Sequence, residues 1–305
     1  MREIGGYLEL ERYSGSLWHD DAAALNTACN ALRLLVRTRE IRQLWLPEYL
    51  CNSVFEALHD EKVQVIPYNV DASFLPILDC LPGADEAVYI VNYYGFHDNV
   101  ILERLKKRYI RVIIDNVQAF FQPPLPHTDT IYCCRKWFGV PDGAYLYTDI
   151  PLELPAENSH SAGSFSALLG RFEDGAAAHF TDFRRREEML RRQPVQRMSA
   201  LSENLLRAID YEKVLQKRNE NFDFLQKRLG GQNRLAIKPV TGAFCYPLMT
   251  TRAAEWRQKL LENKIYVPTF WPSCQESRAQ EILPLPLDQR YGKEEMSRIC
   301  EVFGV

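Results

Sequence analysis

Two charged residues stand at the ends of neighbouring apolar runs: Asp115 closes VIID, and Lys136 follows IYCC with Arg135 beside it. A third feature, NTACNALRLL, opens a helix at Asn26 or Thr27, with Ala28 and Cys29 in its first turn. The first amides of a helix lack intrahelical acceptors and lie at the positive end of its dipole, which suits a phosphate. A lysine amine condenses with an aldehyde, and an acid keeps a pyridine nitrogen protonated so that the ring serves as an electron sink. Lysine, acid and anion-binding helix start are the parts a pyridoxal 5'-phosphate site needs. Each also has a plainer reading. A lysine after a strand is commonly a solvated rim residue, Asp115 equally caps the next segment with Gln118, Phe120 and Phe121 as local packing, and Thr27 is a cap without any ligand. Spacing alone leaves a nucleotide-binding α/β protein in contention.

The three features reach one rim only if the strands that carry them run parallel, because ligand crevices in such sheets lie at the strands' carboxyl ends. From about residue 20 to 150 the pattern alternates. NTACNALRLLVRT, YLCNSVFEALHD and ILERLKKRY have helical spacing, while QLWLP, VQVIPYNV, EAVYIVNYYG, RVIID, DTIYCC and GAYLYTD read as strands. VYIV and VIID are apolar throughout or nearly so, as expected where helices cover both faces of a sheet. The expected fold is therefore α/β, a large domain with a mainly parallel sheet sandwiched by helices, over residues 1–198. PLELPAENSHSAGS reads as a polar surface loop, and FRRREEMLRR, with Glu187 and Glu188 among its arginines, as a solvated helix face. Residues 199–305 are expected to form a long amphipathic linking stretch, SALSENLLRAIDYEKVLQKRNENFDFLQKRL, and a small C-terminal α+β domain. In that domain AIKPV, FCYPLMT and IYVPTF read as strands and AAEWRQKLLENK and KEEMSRICEVF as helices. Thr269, Phe270 and Trp271 line a substrate pocket or fill the small domain's core.

A chain of 305 residues with 46% hydrophobic and 25% charged residues is long enough for one large core and a smaller one. Its net charge of −3 provides no field to gather nucleic acid or anionic membrane, so neither partner is expected. The start, MREIGGYLELERYSG, reads as neither a secretory signal nor an anchor, and no run approaches the ~18 apolar residues of a membrane span. Cysteines 29, 51, 80, 133, 134, 245, 274 and 300 have no CxxC spacing and the histidines no metal spacing. Reduced thiols in a cytoplasmic protein follow, rather than a disulfide or zinc framework.

VIIDNVQAFF resembles the strand and acid-x-x-Gln-Ala signature of the DegT/StrS-type sugar aminotransferases, which belong to the fold-type I pyridoxal phosphate enzymes. IVNYYGFHDN is similar to that family's preceding strand and Tyr-Gly turn, and CCRKWFGVPDGAYLYTD to its Schiff-base lysine and following glycine turn. NTACNALRLL lies where the family begins its phosphate-binding helix. QRMSALSENLL and ILPLPLDQRYGKEEMSRICEVF resemble its Arg-Met-Ser segment and its closing strand and helix, so the ordered matches span nearly the whole chain.

The resemblance implies an aspartate-aminotransferase-like fold with pyridoxal 5'-phosphate as cofactor. It implies that Lys136 forms the Schiff base and shuttles a proton, that Asp115 pairs with the pyridinium nitrogen, and that Gln118 contacts the ring oxygen. Thr27, Ala28 and Cys29 would serve the phosphate, and Tyr49 would fall near the ring-stacking aromatic. It further implies a homodimer and transfer of an amine from an amino acid to a keto-sugar nucleotide, in surface polysaccharide or amino-sugar biosynthesis. The chain departs from the family at the phosphate: Thr27-Ala28-Cys29 replaces Ser-Gly-Thr, Cys133 or Cys134 replaces a serine, and Val195 stands where an asparagine is expected. A thiol is a weaker donor than a hydroxyl, so the grip is either rebuilt, through Arg135, or weaker than in the family. Two other readings remain: another pyridoxal phosphate reaction on a small amino compound, and a binding or scaffold protein that has lost catalysis.

Overall fold

Tertiary structure was analysed in a computed structural model, which describes residues 4–83, 85–271 and 277–305. Eight strands form the main sheet: β1 (Ala23–Leu25), β2 (Gln43–Pro47), β3 (Gln64–Val70), β4 (Pro76–Ile77), β5 (Glu86–Val91), β6 (Val112–Asp115), β7 (Asp129–Cys133) and β8 (Ala144–Tyr147). Their order across the sheet is β1-β8-β7-β6-β5-β2-β3-β4. β3, β2, β5, β6 and β7 run parallel, while β8 is antiparallel to both β7 and β1, and β4 to β3. Val91 of β5 is in register with Asp115, so β5 and β6 end together; Asp115 is in register with Ile131 of β7, which runs two residues further, to Cys133.

The helices follow from sequence in the same direct way. α1 (Ala28–Thr38) begins because Thr27 accepts the amide of Asn30 on its side chain, and it buries the Ala31, Leu32, Leu34, Leu35 stripe. α2 (Asn52–His59) packs against α1, and α3 (Asn99–Arg108) starts at the cap Asp98. After the sheet come α4 (Ser166–Asp174) and α5 (Phe180–Arg191). The amphipathic stretch is two helices, α6 (Ala200–Leu206) and α7 (Tyr211–Leu229), because Asp210 caps a new start by accepting the amide of Lys213.

A second, two-stranded sheet pairs β9 (Tyr246–Met249) antiparallel with β10 (Ile282–Leu285). With α7, α8 (Ala253–Glu262) and α10 (Lys293–Val302) it encloses a core that includes Phe222, Leu225, Tyr246, Leu260, Leu283, Met296 and Ile299. The short α9 (Ser277–Glu281) leads into β10. Two expected strands are absent: AIKPV and IYVPTF join no ladder. Ile237 and Val240 instead pack against both the main core and the smaller one, and Pro239 and Pro268 have no amide to give a ladder. Pairing was missed at the other extreme, in β1 and β4, which have three and two residues and too little sequence for a period. The apolar residues of NYYGF and FGVPDGAYLY are mostly buried core, including Tyr93, Tyr94, Phe96, Phe138, Val140 and Tyr145.

The turn that carries Lys136 back into β8 is pinned by one glycine. Gly143 has φ +127, and a Cβ there would meet Cys134 Cβ and Met198 Cε at 3.2 Å. Its amide donates to the carbonyl of Asn26 at 2.7 Å, and its carbonyl accepts from the amide of Cys134 at 3.0 Å. Gly143 thereby ties the lysine turn to the start of α1. Next to it the buried Asp142 accepts from the Ser199 amide (3.1 Å) and the Ser199 hydroxyl (2.6 Å), and also from the Ser202 hydroxyl. We expect Gly143→Ala to lower unfolding stability by about 1–3 kcal/mol, read as a shift in the urea midpoint at unchanged slope.

Candidate active site

A cavity of about 160 Å³ opens at the carboxyl ends of β5, β6 and β7. Asp115, Gln118, Cys133, Arg135 and Lys136 line it from the sheet side, Thr27, Ala28 and Cys29 from α1, and Glu187, Leu190 and Arg191 from α5. Of the candidate residues read from sequence, these eight meet in one place: Thr27, Ala28, Cys29, Asp115, Gln118, Cys133, Arg135 and Lys136.

Asp115 is 6% exposed. Its Oδ2 accepts from the Tyr89 hydroxyl at 2.8 Å and its Oδ1 from the Val117 amide at 2.8 Å. Burial pushes its carboxyl above the usual carboxylate range, and the charge of Lys136, the Val117 amide and the Tyr89 hydroxyl oppose but do not cancel that. The bond to Val117 is the local turn contact of the plainer reading, and it coexists with a carboxyl facing the cavity. Burial also raises Tyr89, which therefore stays a donor.

Lys136 is exposed, as a solvated rim residue is, while still lining the cavity. The residue that follows it is held in place. Trp137, 3% exposed, donates its indole N–H to the Val117 carbonyl at 3.0 Å, and the Arg218 guanidinium lies 4.5 Å from its ring centroid. The Trp137 carbonyl accepts from Gln289 at 2.8 Å, and Arg218, 1% exposed, donates to Gln289 and to the carbonyls of Ala243 and Phe244.

At the α1 end, Thr27 Oγ1 accepts from the Asn30 amide at 3.1 Å, while Ala28 and Cys29 have no acceptor within the helix. The Cys29 thiol, raised chiefly by burial, donates to the Ser53 carbonyl at 3.4 Å. Gln118 spends its Oε1 on the Tyr94 amide at 2.7 Å, which holds the turn at Tyr94, where φ is 57. Tyr49 does not line the cavity. It lies behind it, stacked on Tyr93 with ring centroids 5.3 Å apart, and Trp271 stands edge-on to it at 4.4 Å. Trp271 itself reaches the cavity wall, while Phe270 stacks on Phe244. Val195, the replacement for the expected asparagine, packs against the main core.

Sequence reading missed Glu187. FRRREEMLRR is only partly a solvated face: Arg186 and Leu190 are buried one turn apart, and Glu187 between them accepts from Arg135 Nη1 at 2.6 Å. Burial pushes Glu187 up, but Arg135 and Arg186 outweigh it and hold the carboxyl below its usual range. The available signal was Leu190 four residues after Arg186, a helical repeat that turns both inward. Among the described residues the cysteines form no disulfide and no metal-binding cluster occurs; Cys274 lies outside those residues. No described helix is long and apolar enough to cross a membrane.

These residues fit pyridoxal 5'-phosphate at both ends. A buried carboxyl raised by desolvation gains from a cationic ring N–H, and the α1 amides together with Arg135, whose buried Nε has no acceptor, suit a phosphate.

The fold is that of fold-type I sugar aminotransferases of the DegT/StrS type. No protein-family profile and no curated protein matches the sequence. DesV from S. venezuelae superposes with a TM-score of 0.66 at 15% identity, covering 92% of this chain and 83% of its own. The sugar aminotransferase CalS13 from Micromonospora echinospora gives 0.65 at 13% identity, covering 93% and 87%. NtdA from Bacillus subtilis, solved with bound PMP, gives 0.66 at 14% identity, covering 93% and 72%.

Because folded Asp115 keeps its proton to higher pH than an unfolded carboxyl, its contribution to stability falls as pH rises from the ordinary carboxylate value through the raised folded one. Asp115→Asn should therefore unfold at an equal or higher temperature than wild type at neutral pH, and lose less stability between acid and neutral pH. Thermal unfolding across that pH series checks it.

Proposed function

We propose that this chain is a pyridoxal phosphate-dependent aminotransferase, a homodimer that moves an amine from an amino acid donor to a keto-sugar nucleotide. The observation that carries this reading is the meeting of an exposed lysine, a buried acid and a helix start in one cavity at the sheet's carboxyl end. The sugar aminotransferases that share the fold support the substrate class. When bound, the cofactor supplies the electron sink for the amino carbon.

The chain's own residues supply position and proton transfer. Asp115, fixed by Tyr89 and Val117, faces the ring nitrogen and keeps it protonated. Ala28 and Cys29 offer amides to the phosphate, joined by Arg135. Cys133, buried in the cavity wall, shapes the phosphate end rather than donating strongly to it. Gln118, with its oxygen already engaged, has its amide N–H groups left for the ring oxygen. The Lys136 amine carries the proton on and off the substrate carbon, for which an exposed amine beside the firmly held Trp137 is suited. Trp271 lines the cavity as an aromatic wall for substrate. Domain organisation as a cofactor-binding unit over 1–198 and a smaller unit over 199–305 places the cavity-lining sheet and α1 in the first and Trp271 in the second. A second copy has an apolar surface to cover in Leu169, Phe172, Phe180, Phe183 and Met189, all exposed on α4 and α5 beside the cavity.

With pyridoxal phosphate added, purified protein should show an absorption band that borohydride reduction removes, and Lys136→Ala should show none. Absence of the band in wild type overturns the aminotransferase reading in favour of a binding protein that has kept the fold.

A further inference from the structure

The two arginines near Glu187 are not evenly paired. Arg135 Nη1 and Arg186 Nη2 donate to the same carboxylate oxygen, at 2.6 and 3.0 Å. Three further buried guanidinium N–H positions, Arg135 Nε and Arg186 Nε and Nη1, have no acceptor. Arg186 is 5% exposed, so these positions are shielded from bulk solvent. One carboxylate therefore serves two guanidinium groups and leaves a positive charge in excess. The cluster lies at the α1 end of the cavity, because the Arg135 guanidinium is within electrostatic reach of Cys29 and Cys133.

We propose that Glu187 and a dianionic phosphate ester are alternative partners of Arg135, so that the chain carries an internal competitor for its own anion site. The proposal rests on the reading that the cavity takes a phosphate at the start of α1. Glu187 lines the same cavity as Arg135, and a dianion brought beside an ionised carboxylate in a poorly solvated pocket is repelled. Arg186 makes the exchange feasible. Its two unpaired N–H groups can take up Glu187 when Arg135 turns to the phosphate, so the carboxylate is never buried without a partner. Arg135 in turn gains acceptors for its unpaired Nε from the phosphate oxygens. Glu187 is thus a specificity-determining residue that sets how strongly a ligand must hold the site through its phosphate. Its position on α5 also links that exchange to the helix that brings Leu190 and Arg191 to the cavity wall.

The test is calorimetric titration of inorganic phosphate, and separately of pyridoxal phosphate, into wild type, Glu187→Gln and Arg135→Gln. Glutamine keeps an acceptor for Arg135 but removes the charge, so Glu187→Gln should bind inorganic phosphate roughly tenfold more tightly. Arg135→Gln should lose most of that affinity. Glu187→Asp, which withdraws the carboxylate by one methylene, should fall between wild type and glutamine, and serves if the glutamine variant fails to fold. Equal or weaker phosphate binding by Glu187→Gln overturns the proposal, and makes Glu187 a support for Arg135 instead. Absence of phosphate binding in every variant overturns it too. The two readings fail separately. A reducible band in wild type without tighter binding in Glu187→Gln removes the competition alone, whereas tighter binding without the band removes the aminotransferase reading and keeps the competition.

Discussion

The desolvated carboxyl of Asp115 is the constraint around which this site is arranged. A carboxylate removed from water is tolerated only where hydrogen bonds and an opposite charge are held in place for it. Here those partners come from different segments: the Tyr89 hydroxyl from β5, the Val117 amide from the turn after β6, and the charge of Lys136 from the end of β7. They meet because the parallel ladders set Val91, Asp115 and Ile131 side by side, with β5 and β6 ending there and β7 running on to Cys133 just before Lys136. A shift of one residue in any of these registers would turn the side chains to the other face of the sheet and separate the acid from its partners.

Around that constraint the molecule fixes one end of the lysine turn and leaves its side chain free. Gly143 ties the turn to the start of α1, and Asp142 ties it to Ser199 and Ser202 at the start of α6. Trp137, clasped by Val117 and Arg218, fixes the backbone next to Lys136. The lysine itself is exposed, while Trp137 next to it is buried and Arg135 half-buried. The α1 end of the cavity is built differently, from positive charges that outnumber their partners.

Most of the main sheet was legible in the sequence, for a physical reason. Strands such as EAVYIV and VIID are buried on both faces, so their apolar runs are unbroken, and helices such as ALRLLVRT carry a full apolar stripe beneath a capping residue. Residues placed by such elements, Asp115 and Lys136 among them, could be assigned to one rim from order alone. What could not be read was set by tertiary packing. AIKPV has strand composition but lies between two cores without a ladder, and Tyr49, one residue from cavity-lining Leu50, turns away into an aromatic stack. Glu187 was hidden because a charged run gives no sign of which of its members faces inward until the helix is docked.

The hold on Trp137 has a consequence for how the protein comes into being. Gln289, which bonds the Trp137 carbonyl, lies 152 residues further along the chain, and Arg218, which covers the indole, takes its own orientation from Gln289 and the Ala243 carbonyl. Contacts of such separation close late, after the local helices and the early parallel strands have formed. During synthesis the sheet and its acid can therefore be assembled while the segment next to Lys136 is still unclasped. The setting of Lys136 is completed only once the segment that carries Gln289 has left the ribosome, so a nascent chain presents this side chain first and its clasp much later.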